Sequence, residues 1–241
     1  MSAKRKMLLT GAGGGIGRSI ATLLLSSDWR IVGVGRDPAR PGFSQKEFSQ
    51  ATIDLSDLEH LPEQLRLLAS EHEDIDSVVC AAGVGRFGSL EEFSYQQIRE
   101  LIDINLTSQL YVVRAFLPLL KRRGRGDVVL IGSEAALAGG ARGAVYSATK
   151  FALRGFCQSL RQESAAAGIR VTLINPGMVR TDFFDQLDFE PGEDLAHAIV
   201  PEDIAVAVKM VLSARAETVF DEINLSPLKK VVRRKHRAPK P

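Results

Sequence analysis

Tyr146 and Lys150 stand four residues apart in Ala144-Val145-Tyr146-Ser147-Ala148-Thr149-Lys150. That spacing puts two side chains on one face of a helix, one turn apart. A free tyrosine titrates near pH ~10, too high for a base at neutrality, whereas a neighbouring ammonium favours the phenolate. Lowering the phenol into the neutral range takes roughly 3–4 kcal/mol of differential stabilisation, within reach of charges in a partly desolvated cleft. The chemistry on offer is proton transfer. Y-x-x-x-K is common on surface helices, so its company gives it weight. Ser133 sits where an apolar run ends, thirteen residues before Tyr146; Asn105 lies in Ile-Asp-Ile-Asn-Leu-Thr-Ser.

A second chemical signal lies near the start of the chain, in Thr10-Gly11-Ala12-Gly13-Gly14-Gly15-Ile16-Gly17. Glycines permit a tight turn, let backbone approach a pyrophosphate, and aim a helix N-terminus at its charge. The spacing is G-x-x-x-G-x-G on Gly11, Gly15 and Gly17, with Gly14 and Ile16 between them, rather than G-x-G-x-x-G. The loop predicts a dinucleotide cofactor. Arg36 follows Gly35 nineteen residues after Gly17, about where a ribose is read. A guanidinium there favours a 2′-phosphate, hence NADP(H) over NAD(H), although Asp37 could neutralise Arg36 or turn to the ribose itself.

Short apolar runs and helix-period segments alternate along the whole chain, and they must position these groups. Strands are expected at 6–10, 30–34, 51–54, 77–81, 127–132, 170–174 and 219–225, with helices at 16–27, 58–70, 95–106, 109–122, 146–167 and 201–212. Val-Val-Cys-Ala-Ala and Asp-Val-Val-Leu-Ile-Gly are apolar on both faces, as strands of a helix-covered parallel sheet are. The expected fold is α/β: one doubly wound Rossmann-type domain over residues 1–228, with ligands at the strand ends. Residues 182–200, acidic and aromatic, break the rhythm as a lid over a site would.

The chain of 241 residues has net charge +2. Residues 229–241 carry seven Lys or Arg and no acid, which leaves −5 on residues 1–228. This segment is expected to be a disordered basic tail, and the acidic body implies no nucleic-acid partner. Two cysteines are too few for a disulfide framework. No apolar run of about 20 residues suggests a membrane span and no signal-peptide core is visible, so a cytoplasmic protein is expected. The four histidines lack metal-ligand spacing, and no metal is expected.

Taken together these motifs resemble the short-chain dehydrogenase/reductase family over residues 6 to about 226, including Asn175-Pro176-Gly177-Met178-Val179-Arg180-Thr181 after the sixth strand. The resemblance implies a seven-stranded parallel sheet with a cofactor across its strand ends. It implies Tyr146 as general acid/base, Lys150 holding the nicotinamide ribose and lowering the Tyr146 pKa, Ser133 positioning the substrate oxygen, and Asn105 supporting a water relay. It further assigns Asp54, Leu55, Ala82 and Gly83 to the adenosine, and Pro176, Gly177, Val179 and Thr181 to the nicotinamide side. One motif departs: Cys80-Ala81-Ala82-Gly83 stands where the family has Asn-Asn-Ala-Gly, removing side chains that brace the central sheet.

The substrate is expected to be a small hydroxy acid, ketone or aldehyde. Candidate pocket residues are Val84, Arg86, Phe87, Ala135, Leu137, Met178, Phe183 and Phe184, with Arg86 and Arg142 read as solvated. The missing glycine-rich finish resembles the 3-hydroxy acid dehydrogenase and sepiapterin-reductase-like branches. A homodimer or homotetramer is implied, with helices 109–122 and 146–167 as contact surfaces. The rival reading, a non-catalytic cofactor sensor, would have little reason to keep Ser133, Tyr146, Lys150 and Asn105 together.

Overall fold

A computed structural model describes residues 4–37 and 47–235. Strand β1 (Arg5–Thr10) leads through the glycine loop into helix α1 (Gly15–Leu25), then β2 (Trp29–Gly35) and β3 (Phe48–Thr52). Helix α2 (Leu61–Glu71) precedes β4 (Ser77–Cys80), α3 (Tyr95–Ile102) and α4 (Ser108–Arg123). The second half runs β5 (Gly126–Ile131), α5 (Ala144–Ala165), β6 (Ile169–Pro176), β7 (Phe189–Pro191), α6 (Pro201–Ser213), β8 (Glu222–Leu225) and β9 (Val232–Arg234).

Seven strands form one parallel sheet in the order β3-β2-β1-β4-β5-β6-β8. The inner strands are mostly apolar because helices cover both their faces, whereas the edge strands β3 and β8 are polar and partly exposed. Leu8, Val32 and Val78 face α2, α4 and α5 through Leu65, Phe116 and Leu153. Met7, Leu9 and Ile31 face α1 and α6 through Ile20 and Val208. The expected Rossmann-type fold is what forms. The order in which strands are added reverses between β1 and β4, and the crevice at the strand ends there is where such sheets take ligands.

Two expectations need correction. The helix expected at 95–106 is interrupted: Asp103–Thr107 form a π-turn joining α3 to α4. The basic tail expected to be disordered from residue 229 is instead ordered up to Lys235. Within it β9 pairs antiparallel with β7, matching Phe189 with Arg234 and Pro191 with Val232. Acidic partners stabilise it: Lys230 Nζ lies 2.8 Å from Glu134 Oε2, and Arg233 pairs with Glu190 and Glu193. The remainder of the predicted tail, 236–241, lies outside the described residues.

The N-terminal ends of β1 and β6 are tied to β5 by one carboxylate. Asp127, 3% exposed at its side chain, lies 2.7 Å from both Arg5 and Arg170. Removing it leaves two partly buried cations without their partner. Asp127→Ala is therefore expected to cost about 3 kcal/mol in urea unfolding, with no change in secondary structure by circular dichroism.

Candidate active site

The glycine loop closes tightly. Gly11 sits at φ +67°, a conformation that L side chains rarely adopt, and its amide donates to Val34 O at 2.9 Å. A Cβ there would lie 2.9 Å from the Ala82 backbone, and one on Gly17 would collide with the Gly11 carbonyl oxygen. Gly14 N donates to Gly11 O at 3.0 Å. No side chain caps α1, so its first-turn amides are available to an anion. A Cβ on Gly15 would lie 2.9 Å from Thr181 Cβ. Residues from both halves of the chain thus form a cradle that only glycine leaves open, and it fits a pyrophosphate.

Deeper in the crevice, Tyr146 is 8% and Lys150 5% exposed. The Lys150 ammonium donates to Ile131 O at 3.1 Å and lies 5.7 Å from the centre of the Tyr146 ring. Burial lowers Lys150 from 10.5 to about 8. Burial likewise pushes Tyr146 up to about 12, with a hydrogen bond to Ser133 pulling the other way and the Glu134 charge adding to the rise. The expected lowering of the phenol by Lys150 together with the positive nicotinamide concerns the cofactor-bound site; without that charge, burial is the largest influence on Tyr146.

Asn105 is fully buried in the π-turn, and its amide both accepts from Val84 N and donates to Val84 O at 2.9 Å. The widened turn delivers that side chain sideways to the β4 end. One point beside Gly83, where a Cβ would sit, is 3.3 Å from Asn105 Oδ1 and 3.8 Å from Lys150 Nζ. The bracing lost at Cys80-Ala81 is supplied from elsewhere. Thr10 Oγ1 accepts from Ala82 N at 3.2 Å, and Gln109 Nε2 donates to Ala82 O at 3.3 Å. Asn175 takes Ser133 N at 3.3 Å and donates to Asn224 at 3.0 Å.

A cavity of about 410 Å³ opens over these groups. Ile16, Ala82, Gly83, Ser133, Tyr146, Lys150, Pro176, Gly177, Val179 and Thr181 line it, as do Val84, Phe87, Ala135, Met178, Phe183 and Phe184. Arg142, read as solvated, lines it too, whereas Arg86 points to Glu100 at 3.8 Å and Leu137 lies outside. Arg36, Asp54 and Leu55 sit apart from this cavity, beyond the ends of β2 and β3. Hydrogen bonds from Ser56 hold Asp54 below the usual carboxylate range, with the Arg36 charge adding to the effect. The Leu55 side chain is core, 7% exposed. Sequence reasoning missed Glu134, Asp188, Lys230, Val232 and Arg234, all of which line the cavity. Among the described residues no group of three or more His, Cys, Asp or Glu gathers as a metal site, and no helix is long and apolar enough to cross a membrane.

The short chain dehydrogenase family model matches residues 5–190. The chain belongs to the short-chain dehydrogenase/reductase family of oxidoreductases. A relative, an uncharacterized oxidoreductase of Staphylococcus saprophyticus, is 31% identical over 229 residues, covering 92% of this chain and 96% of the relative. Among solved structures, an alcohol dehydrogenase from the archaeon Thermococcus sibiricus complexed with 5-hydroxy-NADP superposes with TM-score 0.83 at 27% identity, covering 94% of this chain and 98% of that one. The closed form of a serine dehydrogenase complexed with NADP+ superposes with TM-score 0.79 at 26% identity, covering 91% and 94%.

The buried pair has a stability signature. From about pH 8 the folded protein has released the Lys150 proton, while the unfolded chain keeps it to 10.5, so stability rises with pH. Above pH 10.0 the unfolded tyrosine ionises before Tyr146 does, and stability falls. Between pH 7.5 and pH 9.5 the parent should gain stability relative to Lys150→Met in urea unfolding, a comparison in which the opposing effect of the buried Cys80 and Cys157 thiols cancels. Gly17→Ala, whose Cβ would push the Gly11 carbonyl out of the turn, should lower the melting temperature and weaken NADPH binding at least tenfold in calorimetry.

Proposed function

We propose that this chain is an NADP(H)-dependent oxidoreductase that interconverts an alcohol and a carbonyl, with Tyr146 as general acid/base. The observation that carries this reading is the convergence of Tyr146, Ser133 and Lys150 on the cavity that also receives Ile16 and Thr181. The cofactor, when bound, supplies the hydride. Everything else falls to the chain. Ser133 and the Tyr146 hydroxyl hold the substrate oxygen, and Tyr146 gives or takes its proton. Lys150, its proton loosened by burial to about 8, holds the ribose and passes protons between the phenol and the Asn105 side. Burial holds the Tyr146 phenol up at about 12, and the positive charge of an oxidised nicotinamide bound beside it would favour the phenolate.

Arg36 supports NADP(H) over NAD(H): it is exposed at the end of β2, where a guanidinium can grip a 2′-phosphate. Similar proteins carry NADP+ and 5-hydroxy-NADP. Two reduced, buried cysteines, Cys80 and Cys157, suit a cytoplasmic protein. A homodimer or homotetramer is supported by the half-buried Leu110, Tyr111 and Leu117 of α4 and by Phe151 of α5, 43% exposed. A non-catalytic sensor would leave the buried proton-transfer groups without purpose.

Tyr146→Phe should keep the fold and NADPH affinity while lowering kcat at least 100-fold on any aldehyde or ketone the parent reduces. Full activity in that variant would overturn the assignment. Arg36→Ala should cut kcat/KM for NADPH about tenfold and leave that for NADH within twofold.

A further inference from the structure

Residues 230–235 read Lys-Val-Val-Arg-Arg-Lys, and the strand alternates them between two faces. Val231, Arg233 and Lys235 face away from the cavity. Val231 packs beside Gly192, Arg233 pairs with Glu190 and Glu193, and Lys235 donates to Phe184 O at 2.6 Å. Lys230, Val232 and Arg234 line the cavity. Lys230 is matched by Glu134, and Arg142 by Glu92 at 3.4 Å. Arg234 has no ion-pair or hydrogen-bond partner among the described residues. It is the cavity's unmatched cation outside the proton-transfer pair.

Its position relative to the phenol follows from the register. Arg234 stands opposite Phe189. The Phe189 ring lies 5.1 Å from Phe87, which lies 5.0 Å from Tyr146. Phe183 and Phe184 complete the circuit, at 6.3 Å from Tyr146, 5.2 Å from each other and 5.8 Å from Phe189. Five aromatic rings therefore form a collar with the phenol on one side and β9 on the other. An apolar body fits the collar; a charged end fits only the β9 side.

We propose that Arg234 is a specificity-determining residue, selecting a carbonyl compound, or the matching alcohol, that carries a carboxylate at the far end of an apolar body. This rests on the oxidoreductase reading above. The guanidinium accepts the carboxylate through paired charge-assisted hydrogen bonds. Asp188 lines the same cavity and opposes an anion, and Arg234 is solvent-exposed, so the gain is about fivefold at most rather than that of an enclosed pair.

The test compares 4-carboxybenzaldehyde with 4-methylbenzaldehyde, similar in size and different in charge, by NADPH oxidation. The parent should favour the carboxylated aldehyde about fivefold in kcat/KM. Arg234→Gln should abolish that preference by raising KM rather than lowering kcat, and Arg234→Lys should restore part of it. No preference in the parent, or one that survives Arg234→Gln, overturns the proposal. If neither aldehyde is reduced, the oxidoreductase reading has failed on these substrates, and anion selection is read separately. Calorimetric titration of 4-(hydroxymethyl)benzoate and 4-methylbenzyl alcohol into the NADPH-loaded protein then decides. Tighter binding of the anion, lost in Arg234→Gln, supports the proposal; equal binding or none overturns it.

Discussion

An ammonium buried without a carboxylate beside it is the constraint on which this site depends. Taking a charge out of water is costly unless it is paired, and a lysine so placed loosens its proton instead. Lys150 meets one carbonyl oxygen, that of Ile131, and the face of one phenol. The same burial makes Tyr146 hold its proton more tightly than a free tyrosine. Side by side stand a reluctant acid and a reluctant cation, a poise that added positive charge would tip. The rest of the crevice keeps water off this pair while leaving room for a dinucleotide.

Several unrelated pieces of backbone serve that purpose. The π-turn at Asp103–Thr107 turns Asn105 under Val84, and Gly83 leaves open the space between Asn105 and Lys150. Gln109 and Asn175 bind the strand ends where Cys80 and Ala81 offer no polar side chain. Phe183, Phe184 and Phe189 complete the aromatic collar, and β9 pairs with the edge of β7 beside it. Lys230, reaching Glu134, ties the segment leading into β9 to the residue next to Ser133.

What the sequence made legible is what repeats locally. Strands covered on both faces carry runs of adjacent apolar residues, so β4, β5 and β6 stand out, and glycines at Gly11, Gly15 and Gly17 betray a loop where a Cβ would clash. Tyr146, Lys150, Ser133 and Asn105 were legible through motif company. β9 was not, because Lys-Val-Val-Arg-Arg-Lys is basic on both faces and shows no alternation of polarity. Its order comes from Glu134, Glu190 and Glu193, some forty to a hundred residues away in the chain. The π-turn was illegible for another reason: a one-residue slip in hydrogen bonding leaves helical periodicity intact. The direction of the Tyr146 shift also escaped, since spacing reports that an ammonium is near but not that both groups are dry.

The account is tested most directly by the ionisation of one phenol. Ultraviolet difference titration of the parent against Tyr146→Phe isolates Tyr146 from Tyr95 and Tyr111. Without cofactor, no phenolate from Tyr146 should appear below pH 10.0, the ordinary tyrosine value. With NADP+ bound, it should appear by about pH 8. A phenol that titrates near 10 in both states would contradict the claim that burial sets this site's protonation and that the cofactor's charge releases it.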